Sequence, residues 1–247
     1  WLLGASSGIG RDLAQALAAR GMTVYVSARR ADALQALAQD CDGEIIALPL
    51  DVGDKAALSD AVQRIEREAG PPDLVVFCAG VWRPMRLDAF SAEALRETIE
   101  INLLGAANLL EVLLPGMRAR GAGHIALVSS VAGYSGLPLG AAYGASKAAL
   151  THMAEALQPE CARAGITLQV ISPGFVDTPM TEVNRFPMPF LMDVETAVQR
   201  IVKGLESRRF EIHFPRRLSW QLKLLRCLPY PFFFALTRRM LRGSGRS

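Results

Sequence analysis

Long apolar runs are missing from this chain: no stretch of 18 uninterrupted apolar residues occurs, which excludes a conventional membrane-spanning helix. Cysteine is sparse, and the four present, at 41, 78, 161 and 227, form no C-x-x-C pair and no metal-ligand spacing. No metal site is expected, and a reduced, cytoplasmic protein is the simplest reading. Charged residues make up only 21% against 51% hydrophobic, which is a globular composition and excludes a disordered chain. Repeats and low-complexity linkers are absent too, so nothing before about residue 208 suggests a domain break. The sequence starts at Trp1, inside a strand and without a Met, so it carries no information on a preceding targeting segment.

What charge there is lies unevenly. The formal net charge is +3, but residues 208–247 hold ten Lys/Arg against a single acid, Glu211. A mildly acidic body therefore carries a strongly basic tail. The 247 residues fit one α/β domain or two small ones. The reading adopted is a domain over 1–213 with a helical or irregular appendage over 214–247.

Short β-branched or apolar runs alternate with helical stretches. Strands are expected at Trp1–Leu3, Thr23–Ala28, Glu44–Leu48, Leu74–Cys78, Gly123–Ser129, Ile166–Ser172 and Phe210–His213. Helices are expected over Gly10–Arg20, Ala31–Gln39, Lys55–Ala69, Ala92–Arg118, Ala142–Ala164 and Asp193–Glu206. Near-continuous apolar strands alternating with helices imply a doubly wound, Rossmann-like parallel sheet of about seven strands, covered on both faces.

Within this pattern Gly4-Ala-Ser6-Ser7-Gly8-Ile9-Gly10 joins the first strand to the first helix. Glycines let the backbone turn tightly and approach a pyrophosphate, and the helix N-terminus offers free N–H groups. The second strand ends at Ala28 without the acid that would bind a ribose 2′-hydroxyl, and Arg29-Arg30 follow. Two guanidinium groups there suit a 2′-phosphate, hence NADP(H) rather than NAD(H); the plainer alternative is a pair of solvated surface arginines. Tyr143 and Lys147, spaced i, i+4, share one helix face. An ammonium near a phenol favours the phenolate, so the pair can move a proton to or from a carbonyl or alcohol oxygen. Ser130 follows the fifth strand, at the carboxyl edge where such sheets bind ligands. Asn102, in an otherwise apolar helical stretch, requires a buried partner.

The G-x-x-x-G-x-G turn, Asp51-Val52, Cys78-Ala79-Gly80, Tyr143…Lys147 and Pro173-Gly174-Phe-Val176-Asp-Thr178, in this order, resemble the short-chain dehydrogenase/reductase family over about residues 1–213. The resemblance implies a catalytic tetrad of Asn102, Ser130, Tyr143 and Lys147. Tyr143 would be the acid/base, Ser130 would hydrogen-bond the substrate oxygen, and Lys147 would hold the nicotinamide ribose and depress the Tyr143 pKa. Asn102 would support a water that relays protons to Lys147. It also implies cofactor contacts from Gly4, Ser6, Ser7, Gly8, Ile9, Gly10, Arg29, Arg30, Asp51, Val52, Ala79 and Gly80. Pro173, Gly174, Val176 and Thr178 would cradle the nicotinamide amide, and the family's long helices would make a homodimer or homotetramer. Two departures stand out: Leu3 replaces the usual Thr, and Cys78 replaces the usual Asn and reads as a buried structural residue. Ser129 is expected to be structural.

The substrate is less legible. Met180, Phe186, Met188, Phe190 and Met192 in a proline-punctuated loop, with Leu137-Pro138-Leu139, suit a lipophilic carbonyl or secondary alcohol, though a lid packed on the core or an oligomer contact reads equally well. The tail, with Trp220, Phe232 and its arginines, suits an anionic membrane surface, or else packs on the domain or a neighbouring subunit. The apolar segments between its charges argue against nucleic acid. The alternatives to a carbonyl or alcohol oxidoreductase are a β-ketoacyl-thioester reductase of the same family and a non-catalytic NADP(H)-binding scaffold.

Overall fold

The computed structural model describes residues 1–243; the last four residues of the basic appendage, 244–247, lie outside the described residues. Seven strands form one parallel sheet: β1 (Leu2–Leu3), β2 (Val24–Ser27), β3 (Ile45–Ala47), β4 (Leu74–Phe77), β5 (Gly123–Val128), β6 (Ile166–Pro173) and β7 (Glu211–Phe214). Their order is β3-β2-β1-β4-β5-β6-β7. The order reverses between β1 and β4, where Leu3 pairs with Phe77. Ligands bind such sheets in the crevice outside the strand ends at this reversal.

Helices cover both faces, as two-sided burial of apolar strands requires. On one face lie α1 (Gly8–Ala18), α2 (Ala31–Gln39) and α7 (Val194–Leu205), whose Leu13, Leu34 and Ile201 pack with Val26 and Val76. On the other lie α3 (Lys55–Ala69), α5 (Gly105–Arg120) and α6 (Ala141–Arg163), whose Leu58, Leu109 and Leu150 pack with Phe77 and Ile125. Side-chain caps fix several starts: Asp54 accepts from Ala57 N at 3.0 Å and Asp193 from Thr196 N at 2.6 Å. Ser91 caps α4 (Ala92–Ile99) by accepting from Ala94 N.

One expectation is corrected here. The helix expected over Ala92–Arg118 is not uniform. A π-helical turn at Glu100–Leu104 separates α4 from α5 and contains Asn102, whose side-chain partners are described below. This 29-residue run, Ala92–Arg120, is long and apolar enough by composition to cross a membrane, yet it is a core helix whose Leu113 and Met117 are buried against the sheet. The appendage is helical where described. α8 (Arg216–Arg226) and α9 (Tyr230–Gly243) bury Leu218, Leu222, Leu225 and Phe233 against Val131 and Tyr134, forming a third small core.

Candidate active site

The carboxyl edge of the sheet opens into a cavity of about 650 Å³. Every cofactor contact and three of the four catalytic residues singled out by sequence border it: Gly4, Ser6, Ser7, Gly8, Ile9, Gly10, Arg29, Arg30, Asp51, Val52, Ala79, Gly80, Ser130, Tyr143, Lys147, Pro173, Gly174, Val176 and Thr178. The fourth, Asn102, lies behind the wall and is fully buried.

At one end the Gly-rich turn fits a phosphate. Gly4 takes φ +94°, and a Cβ there would collide with the backbone of Ala79, so the turn lies tight against the β4 end. Gly8, at φ +56°, starts α1 facing Thr178. Ser7 caps α1 with no side-chain hydrogen bond, and no acid stands in the first turn. The first N–H groups of α1 thus face the cavity without a competing carboxylate, as an anion requires. Beside them, Arg30 donates from Nη2 to both the carbonyl and the hydroxyl of Ser6, each at 3.1 Å. Arg29 is exposed on the same rim. Asp51 borders the cavity while its Oδ1 accepts from Gly53 N at 2.9 Å, so it also shapes its own turn.

At the deep end, the i, i+4 spacing on α6 does what helix geometry demands. The Lys147 ammonium stands 5.7 Å from the Tyr143 ring centroid. Lys147 is buried and donates to the Val128 carbonyl at 2.7 Å. Ser130 is buried at the start of a short turn over Val131–Gly133 and accepts from Ala132 N at 3.1 Å. Ser129 is turned away, its hydroxyl bonded to the Lys147 carbonyl and to Thr151. Asn102 accepts from Val81 N at 2.8 Å and donates to the Val81 carbonyl and to Ser146 Oγ. These bonds satisfy a polar group in an apolar environment and fix the strand end at Gly80 opposite Lys147. A π turn at a functional position is a recurrent feature, and here it lets the amide reach across.

The electrostatics depart from one expectation. The Tyr143 hydroxyl is not depressed; burial pushes its pKa up to about 12, and only hydrogen bonding with Ser130 pulls the other way. Burial also lowers Lys147 to about 8, so its positive charge is costly in this fold. Burial therefore favours the protonated phenol of Tyr143 at neutral pH. Cys78 is half-buried, packed against the core and bordering the cavity, and burial raises its thiol to about 11, so it stays neutral beside Lys147.

Of the expected lipophilic loop, Met180 and Phe186 border the cavity, as do Leu137, Pro138 and Leu139. Met192 instead joins the core and bridges Val176, Phe190 is 43% exposed, and Met188 accepts from Asn184. The fold adds residues that local patterns cannot supply. Trp82 meets Tyr143 edge to face at 5.1 Å and donates to Asn184 Oδ1 at 2.8 Å, pinning the loop over the site. Leu218, Leu222, Arg239 and Met240 of the tail complete the wall.

The short chain dehydrogenase family model matches residues 1–187. An oxidoreductase of Myxococcus xanthus is 40% identical over 240 residues, covering 96% of this chain and 95% of its own. A ketoacyl reductase of Nostoc is 33% identical, covering 85% and 76%. A crystal structure of a short-chain dehydrogenase from Streptomyces avermitilis superposes with a TM-score of 0.83 at 26% identity, over 99% of this chain and 98% of that one. The sheet order, the glycine turn at its switch point and these likenesses agree: the chain belongs to the short chain dehydrogenase family, oxidoreductases that use a nicotinamide cofactor.

Proposed function

We propose that this protein is an NADP(H)-dependent reductase of a lipophilic ketone, or the dehydrogenase of the corresponding secondary alcohol, with Tyr143 as general acid/base. The observation that carries the reading is the convergence of Tyr143, Ser130 and Lys147 in one largely apolar cavity with an uncapped helix N-terminus and Arg30. The preference for NADP(H) is supported by Arg30 on Ser6, by Arg29 on the rim and by the lack of an acid at Ala28.

The bound nicotinamide supplies the hydride acceptor or donor. Ser130 and Tyr143 orient the substrate oxygen, and Tyr143, held protonated by burial, gives its proton to that oxygen as charge develops. Lys147, anchored on Val128, would hold the cofactor ribose and stabilise the phenolate left on Tyr143. Asn102 positions the loop at Gly80 and Val81 through backbone bonds. Leu137, Phe186, Leu218 and Leu222 exclude water.

The test is a screen of hydrophobic ketones, hydrophilic sugars and a β-ketoacyl thioester, followed by NADPH and NADH absorbance. Hydrophobic ketones with NADPH should turn over. The Tyr143→Phe variant should lose about 10²–10⁴-fold in kcat while binding NADPH nearly as well. Full activity in that variant would refute the mechanism, and a clear NADH preference would remove the role of the two arginines. The thioester reading is favoured by the Nostoc relative and wins if the thioester alone reacts. Absence of all turnover with intact NADPH binding would leave the scaffold reading.

A further inference from the structure

The tail folds with one face buried and the other rich in apolar groups for an exposed surface. Arg217, Trp220 and Leu224 recur on the outward side of α8 at i, i+3 and i+7, with Trp220 61% and Leu224 67% exposed. On α9, Tyr230 and Phe234 stack outside the core at 5.6 Å and lead to Arg238, while Phe232 and Leu236 lead to Arg239. Exposed aromatic and aliphatic groups of this size, gathered on two adjacent helices, mark an interaction surface. Its charge has one sign. Residues 212–243 contain no acid, and Arg216, Arg217, Arg238 and Arg239 carry no ion pair among the described residues. Glu211, the one acid within residues 208–243, is already held by Lys223, Tyr134 and Ser172 inside the fold.

We infer that the α8–α9 face docks on an anionic lipid bilayer and holds the cavity mouth against it. Arginines beside exposed aromatics match the headgroup region, where cations meet lipid phosphates and rings enter the acyl boundary. A protein partner of equal fit would have to bring an acidic, aromatic-accepting face, and a second copy paired through this same face would set arginines against arginines. The docked surface meets the cavity on α9, where Arg239 and the exposed Met240 border it beside Phe232 and Leu236, while Leu218 and Leu222 line it from the buried side of α8. Met180 borders it on the other side, with Val183, Phe190 and Leu191 exposed along the same loop. A lipophilic molecule dissolved in the bilayer would thus enter the site without crossing water.

The experiment uses the full chain, without cofactor or substrate, so its outcome is independent of the proposed catalysis. Protein is co-sedimented with vesicles of equal phosphatidylglycerol and phosphatidylcholine, and with phosphatidylcholine alone. Partition onto the anionic vesicles should be at least about tenfold stronger and should fall steeply between low and high salt, as charge attraction does. Trp220 emission should shift to the blue on the anionic vesicles. The double variant Arg217→Glu/Arg238→Glu, altering solvent-facing groups only, should abolish the preference with unchanged thermal unfolding. Leu224→Ser/Phe232→Ser should weaken binding at least about tenfold. Equal, negligible binding to both vesicles overturns the inference, as does a dimer that Leu224→Ser/Phe232→Ser converts to monomer without any vesicle binding by the parent.

Discussion

Lys147 and Tyr143 form a pair whose spacing was plain in the sequence and whose charges were not. Helix periodicity alone brings them together, but burial decides their protonation, and burial is a property of the whole packed environment. With Lys147 lowered to about 8, its ammonium persists below that pH and is lost above it. If this charge faces the cofactor, kcat/KM for NADPH, which reports the free enzyme, should fall on a limb near pH 8. The neighbouring titratable groups, Cys78 raised to about 11 and Tyr143 to about 12, change protonation well above that limb. The Lys147→Arg variant keeps its charge throughout, so its limb should disappear even though its overall rate drops. A limb unmoved in that variant would mean that another group titrates. Arg30 offers a second test at this scale. Losing a charge-assisted hydrogen-bonding group costs about 1.5–3 kcal/mol, so Arg30→Ala should raise KM for NADPH about ten- to a hundredfold and leave KM for NADH nearly unchanged. Equal effects on both cofactors would assign Arg30 to shaping the Ser6 turn instead.

At the scale of elements, strands and capped helices were legible because each carries its own periodicity and its own stop signals. Lys55–Ala69 and Ala31–Gln39 have the same bounds in sequence and structure. The π turn was not legible. Past Glu100 the apolar pattern continues through Ile101, Leu103 and Leu104, and only Asn102 hints at a break; its partner Val81 lies twenty-one residues away. Nor could local pattern find Trp82 and Asn184, which meet across 102 residues. That bond fixes the loop bearing Met180 and Phe186, so Asn184→Ala should cost only about 1 kcal/mol in stability but raise KM for substrate more than it lowers kcat. A kcat loss with unchanged KM would show that Asn184 supports chemistry rather than the lid. Glu211 anchors α8 in the same long-range manner. Burial pushes its carboxyl up, but hydrogen bonds from Lys223 and Tyr134 bring it below the usual carboxylate range. A depressed carboxylate stabilises above its unfolded pKa and loses that contribution as pH falls through its folded one. Glu211→Gln should therefore flatten the stability loss seen by thermal unfolding below about pH 4.5, the ordinary carboxylate value. An unchanged acid limb would assign the loss to other carboxylates.

The whole molecule joins a widely used sheet to a tail that packs against its carboxyl edge. Charge composition drew a boundary near residue 208, because basic residues begin there, yet packing continues across it. Leu218 lies against Gly174, at the end of β6, and Arg226 donates to the Tyr134 carbonyl at 2.8 Å. Composition reports solvent-facing residues, whereas the leucines at i, i+4 and i+7 of α8 report the buried side. Those three leucines and Phe233 each contribute about 2 kcal/mol by burial. Together they rival the net stability of a typical domain, about 5–15 kcal/mol. A chain ending at residue 213 should therefore fail to unfold cooperatively and should expose apolar surface to a hydrophobic dye. A chain ending at 228 keeps α8 and loses only α9, so it should unfold cooperatively at a lower Tm. Its cavity, missing Arg239 and Met240, should bind a hydrophobic ketone more weakly while NADPH affinity holds. Calorimetry on the two truncations and the full chain checks this directly. If the chain ending at 213 melts like the full protein, the tail is an accessory that rests on a self-sufficient sheet; if only the one ending at 228 folds, α8 belongs to the catalytic domain and α9 to its entrance.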